Sequence, residues 1–193
     1  SHSPTINYVR YVLSSVLKKM GLNTTISVNK YGYYPKGNGE ITAIVEPTKN
    51  LKPLILENHG TSKTVKGLSV CTFLADRKVA ERQANTADSY FREKSFKTNI
   101  QIVNDTSNPL QKGSSITLWA ETDAGAILGA DAIGELKKTS EKVGEEASHK
   151  LWEEIQTKPT VDVHMADILV PYVALAAEKS VYFTRTMSEH LET

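Results

Sequence analysis

Three side chains and one turn in this 193-residue sequence have the type and spacing to do chemistry. His164 and Asp167 lie three residues apart in "DVHMADILVPYVALA", on roughly one face of a helix within an otherwise apolar stretch. A carboxylate there must be hydrogen-bonded, ion-paired or metal-bound if it is buried, because an isolated buried charge is too costly. Taken alone, the two side chains read as a satisfied structural pair rather than a site. His190 stands in "TRTMSEHLET", where Ser188 is a good N-cap, Glu189 opposes the helix dipole and Leu191 is the first residue to face inward. On the residues alone, His190 is a surface histidine of a starting helix. The turn "GYYPKGNGE" sets Gly37 and Gly39 around Asn38, with Lys36 beside them. Its amides could cradle a phosphate. It could as easily be a β-hairpin turn, since GxG without a following helix is a weak sign of nucleotide binding.

Composition excludes several classes. A balance of 23 Lys and Arg against 22 Asp and Glu gives a net charge of +1, which is no footprint for non-specific nucleic-acid binding, so any such contact uses a local patch. The remaining histidines, His2, His59 and His149, make no HExxH spacing, so a structural zinc site is not expected. The single cysteine, Cys71, cannot form an internal disulfide; it is expected as a small buried hydrophobe in a reducing, cytoplasmic compartment. No apolar run reaches the length of a membrane span, so no membrane association is expected.

These residues must be positioned by the elements around them. Ser3 and Pro4 stand in the order of an N-cap and a first-turn proline, and Ile6, Val9, Val12, Leu13, Val16, Leu17 and Met20 recur at helical spacing up to Gly21. Two alternating stretches, 24–30 and 40–46, flank the glycine-rich turn as strands. Residues 48–67 are polar and broken by Pro53 and Gly60, as at a boundary. Beyond it, the sequence predicts a strand over 68–73, a helix over 76–91, and strands in "TNIQIVN", "SITLWAET" and "AGAILGADAIG". A further helix, capped by Thr139 or Ser140, runs to about Gln156 with Val143, Ala147, Leu151 and Ile155 inward. After Pro159 come an apolar helix over 161–177, N-capped by Asp162, and a strand in "SVYFTRT". The outer pieces, 1–47 and 158–193, form one domain interrupted by a smaller inserted α+β domain over 48–157.

Several stretches then agree in order and spacing with one family. "SPTINYVRYVL", "GYYPKGNGE", "ETDAGAILGADAIG", "EKVGEEA", "VDVHMADILVPYVALA" and "SEHLET" resemble the RNA 3′-terminal phosphate cyclases, the archaeal type most closely, over nearly the whole chain. The resemblance implies an α+β fold: a large domain of repeated helix-and-sheet units, partial here, interrupted by an inserted α+β domain of thioredoxin-like composition. It also implies an ATP-dependent enzyme of the ligase class. A histidine attacks the α-phosphate to give a covalent histidyl-AMP, AMP passes to an RNA 3′-phosphate, and the vicinal 2′-hydroxyl displaces it to leave a 2′,3′-cyclic phosphate.

By this resemblance the nucleophile is His190. A neutral imidazole suits the role, because its unperturbed pKa of about 6.5 leaves it deprotonated at physiological pH, and a helix N-terminus beside it favours phosphate. Asp167 matches an acidic residue near the ATP phosphates, where Mg²⁺ or Mn²⁺ would screen charge. His164 stands where many members carry an aromatic against the adenine, and Ile127 and Leu128 align with apolar contacts to it. Ile168 stands where a glutamine is common, which removes a polar contact to the nucleotide. Asn38 replaces one glycine of the usual triple-glycine turn, a mild change because Asn tolerates left-handed geometry; the turn is expected to be structural, with contact between Lys36 and RNA as the lesser reading. The partners implied are ATP and RNA ending in a 3′-phosphate. The resemblance further implies more repeats, an acidic metal ligand and RNA-contacting arginines before Ser3, and strands after the last helix, so the chain is expected to be part of a longer protein. Two alternatives use the same residues differently: a non-catalytic RNA-processing or ribosome-biogenesis scaffold, against which His190 argues, and a partner-binding fragment.

Overall fold

The computed structural model describes residues 3–188, and among them the fold is α+β. Helix α1 covers 6–19, built from Ile6–Tyr8, a π-helical stretch Val9–Leu13, and Ser14–Lys19. Its N-cap is Thr5, not the expected Ser3: the Thr5 hydroxyl accepts the Tyr8 amide at 3.3 Å. The Thr5 amide in turn donates to Asp131 at 2.5 Å, which holds the residue extended and starts the helix there.

Strands β1 (Thr24–Lys30) and β2 (Glu40–Val45) form a two-stranded antiparallel hairpin. The second sheet contains β3 (Thr64–Thr72), β4 (Lys97–Asp105), β5 (Gly113–Glu121) and β6 (Ile127–Ile133) in the order β4-β3-β5-β6. β3 and β4 are parallel and joined through helix α2 (Val79–Arg92), whereas β3–β5 and β5–β6 are antiparallel. Helix α3 (Ser140–Thr157), capped by Thr139, returns along the sheet. The β3 strand starts inside the stretch expected to be a polar boundary, because Val65 and Gly67 alternate into the core while Lys66 pairs outward with Glu121.

Alternation gives this sheet two apolar faces. On one, Val65, Ile116, Leu118, Leu128, Ala130 and Ala132 pack with Phe91 of α2 and with Val143, Ala147 and Leu151 of α3. On the other, Trp119 and Ile127 join Tyr8, Val12 and Val16 of α1 and helix α4 (Val163–Ala174) through Met165, Ala166 and Leu169. Gly129 of β6 faces α1 at a point where a Cβ would stand 2.7 Å from the Tyr8 ring, so glycine lets the helix settle on the sheet.

The segment "SVYFTRT" is not a strand. Val181 makes a single bridge to Ile55, with Val181 N–H to Leu54 O and Leu56 N–H to Val181 O both at 2.8 Å, and the chain bends at Arg185 and Thr186. Its alternating residues are held by separate anchors rather than by a ladder. Among the described residues, no helix is long and apolar enough to cross a membrane.

Candidate functional site

The local sequence sets the start of α4. Asp162 caps it by accepting the Met165 amide at 3.0 Å, as its type and position predict. The same carboxylate also accepts the Tyr8 hydroxyl at 2.6 Å and the Gly129 amide at 2.8 Å, at 1 % exposure. One buried carboxyl group therefore ties α1, β6 and α4 together. Burial pushes its carboxyl above the usual range, against the three donors that favour the charged form. The sequence reading found the cap and missed the other two contacts, which span more than 30 residues each.

The half-buried His164 presents its ring edge-on to Tyr8, with centroids 6.3 Å apart and planes 82° from each other. Asp167, one turn further on, is also half-buried; its carboxylate Oδ1 accepts the Ser188 hydroxyl. His164 and Asp167 do not bond to one another. The satisfied pair read from their spacing gives way to two separate partners, because Tyr8 and Ser188 reach the helix from elements that spacing along one helix does not reveal. Ile168 lies beside them, partly buried against the α1–α4 cluster.

Ile127 and Leu128 are neighbours that face opposite sides of the sheet. Ile127 is 6 % exposed, on the α4 side, and bridges to Val161; Leu128 is fully buried beneath α2 and α3. His190 lies outside the described residues. The last described residue before it, Ser188, ends a segment anchored at regular intervals. Phe183 O accepts from the Thr160 and Val161 amides at 2.8 and 3.1 Å, and Phe183 N–H donates to the Thr160 hydroxyl at 2.8 Å. Arg185 Nε donates to Glu154 at 2.8 Å and its Nη2 lies 3.1 Å from Glu153. Glu154 is 4 % exposed, and burial raises its carboxyl despite the arginine. A signal for it was present: 147, 151 and 154 continue the inward spacing of α3, and a charge on that face needs a partner.

The glycine-rich turn is held by hydrogen bonds within the fold. Gly37 and Asn38 take φ of 68° and 55°, and Gly37 N–H donates to Tyr33 O at 2.7 Å. Asn108 donates to Tyr31 O at 2.7 Å and Gly37 O at 3.3 Å, fastening the turn to the β4–β5 loop, while Lys36 points to solvent. Cys71 is buried and donates to Asn104 at 3.0 Å, as expected of a structural thiol.

A metal can be tested against this arrangement. Among the described residues, no group of three or more His, Cys, Asp or Glu could hold a metal ion by itself. A single carboxylate does suit Mg²⁺ that arrives with a nucleotide, since this ion commonly takes one or two carboxylates plus phosphate oxygens and waters.

A sequence model of the RNA 3′-terminal phosphate cyclase family matches residues 1–193. The chain belongs to this family. Relatives carrying the name RNA 3′-terminal phosphate cyclase include proteins from Caldivirga maquilingensis, 38 % identical over 194 residues, and Pyrobaculum aerophilum, 37 % identical over 193. A third, from Methanothermobacter thermautotrophicus, is 39 % identical over 191 residues. Each alignment covers 99 % of this chain but only 54 or 55 % of the relative, so the chain spans about half the length of the curated relatives it matches.

Proposed function

We propose that the protein containing this chain converts an RNA 3′-terminal phosphate to a 2′,3′-cyclic phosphate at the expense of ATP, with His190 as the nucleophile. The observation that supports this best is the bond from Ser188 to Asp167: it ties the residue two positions before His190 to the helix that carries His164 and Asp167. The imidazole lone pair attacks the α-phosphorus of ATP; a P–N bond forms, the P–O bond to the β-phosphate breaks, and pyrophosphate leaves. An oxygen of the RNA 3′-phosphate then attacks the same phosphorus, and the P–N bond breaks with its electron pair returning to the ring. Finally the 2′-oxygen attacks the terminal phosphorus, its proton leaves, and AMP departs.

In this reading Asp167 faces the phosphates and would hold Mg²⁺ or Mn²⁺, which when bound would supply charge neutralisation there. His164 stacks on or abuts the adenine, Ile127 forms an apolar wall on the same side, and Leu128 backs it from within the sheet. Segments 1–47 and 158–193 belong to the larger repeated domain, and 48–157 to the inserted one. Its βαβ–ββα order and the internal core of 65–151 support a thioredoxin-like unit, with 51–56 running along the outer segments. The single buried cysteine supports a reducing, cytoplasmic setting.

The test uses the full-length protein and an RNA with a labelled 3′-phosphate. With ATP and Mg²⁺ the label is expected to become resistant to phosphatase, and to stay sensitive with His190→Ala. ATP-independent protection, or equal protection by the variant, contradicts the reading.

A further inference from the structure

Outside the residues already assigned, the C-terminal end of α3 carries a buried carboxylate. Glu154 is almost wholly buried, its Oε2 has no partner among the described residues, and its Oε1 receives two groups. One is Arg185 Nε at 2.8 Å; the other is the Val163 amide in the first turn of α4, at 3.5 Å. A single carboxylate oxygen thus meets both the helix bearing His164 and Asp167 and the segment that leads to His190. A buried charge pair is a weak source of stability, because desolvation offsets much of the attraction, and register is its best-attested use. Here the arginine also meets the helix near its C-terminal end, where a cation is favoured and where Glu153 and Glu154 would otherwise oppose the dipole.

The anchors on the segment differ in kind. Val181 and Phe183 are held mainly through backbone, and their bonds survive any side chain at those positions. Arg185 is held by its side chain alone, three residues before Ser188. Thr186 and Met187 between them are exposed. Tyr182 also reaches α4, its hydroxyl donating to Ala166 O at 3.3 Å, and Arg185 is the charged side-chain anchor that lies between Tyr182 and Ser188.

We propose that Arg185, through Glu154, is a positioning residue for adenylyl transfer: the pair sets the register between the His190-bearing segment and α4, without touching nucleotide or RNA. The proposal rests on the reading of His190 as the nucleophile. A displacement of about 1 Å in an attacking group is enough to cost on the order of 100-fold in rate.

The test measures single-turnover adenylation of the full-length protein with α-labelled ATP, per active enzyme, for wild type, Arg185→Gln, Glu154→Gln and His190→Ala. Expected is a fall of about 10- to 100-fold in the rate at saturating ATP for both pair variants, with the ATP concentration for half-maximal rate within about 2-fold of wild type. The double variant should be no slower than the slower single, because both remove one interaction. A saturating rate within 2-fold of wild type, or a loss that falls on ATP affinity, overturns the positioning role. If Arg185→Gln does not fold, Glu154→Gln decides by the same criteria. Absence of a wild-type adduct, or its persistence in His190→Ala, overturns instead the reading beneath it.

Discussion

Strands β2 and β5 are written in the same residue types and end in opposite environments. "EITAIV" of β2 is exposed at every position, with Ile41, Ile44 and Val45 at 50, 61 and 56 %. "GSSITLWAE" of β5 is buried at all but its ends, between α2 and α3 on one face and α1 on the other. Strand propensity makes both strands; it does not decide what covers them. β5 has cover from helices within the chain, whereas β2 pairs only with β1, and its apolar side chains meet solvent among the described residues. A region with local cover should respond to mutation through packing, and one without it should not.

The largest effect expected from that contrast is at Phe91, fully buried between α2 and the sheet. Phe91→Ala should cost about 3–5 kcal/mol in urea unfolding, as a large cavity in a packed core does. Next comes Asp162→Asn, which keeps one acceptor but turns an NH₂ toward donors from Tyr8, Gly129 and Met165. An orphaned buried donor costs about 1–3 kcal/mol, and the same urea experiment measures it. A loss under half of that lower bound would show that the Asp162 hub does not join α1, β6 and α4 as described.

Glu154 supplies a test in pH. Burial raises its folded-state carboxyl above the ordinary value of 4.5, so between those two points the folded chain holds the proton more tightly than the unfolded chain. Stability should therefore fall as pH climbs through that window and be level above it. Glu154→Gln should lack this fall, so the difference between variant and wild type should change across the window; parallel curves would contradict the assignment. The smallest effect is expected at Ile44, where Ile44→Ala should stay within about 0.5 kcal/mol of wild type when this chain is studied. A cost as large as that at Phe91 would break the comparison and require a cover for β2 in solution.

The same contrast explains what the sequence made legible. The helix of 6–19, both strands of the hairpin, the individual strands of the second sheet and the Asp162 cap follow from periodicity and local capping, which need only neighbours a few residues away; the pairing of those strands joins residues far apart in the chain. Thr5 displaced Ser3 as a cap because Asp131, far along the chain, fixes its amide. "SVYFTRT" alternates like a strand, yet its bonds go to Leu54, Leu56 and Thr160 in turn and no ladder forms. His164 and Asp167 were legible as residues on one helix; their partners, Tyr8 and Ser188, were not, since contacts between distant elements leave no mark in spacing. The family resemblance supplied the roles, and the fold supplies the bond that brings the two arms of the proposed site to one helix.

The most direct measurement of the central claim is intact-protein mass spectrometry of the full-length protein, before and after incubation with ATP and Mg²⁺, followed by peptide mapping. The account predicts one added adenylyl group, carried by the peptide containing His190 and absent in His190→Ala. No adduct on folded, full-length protein, or an adduct that persists in the variant, would contradict it.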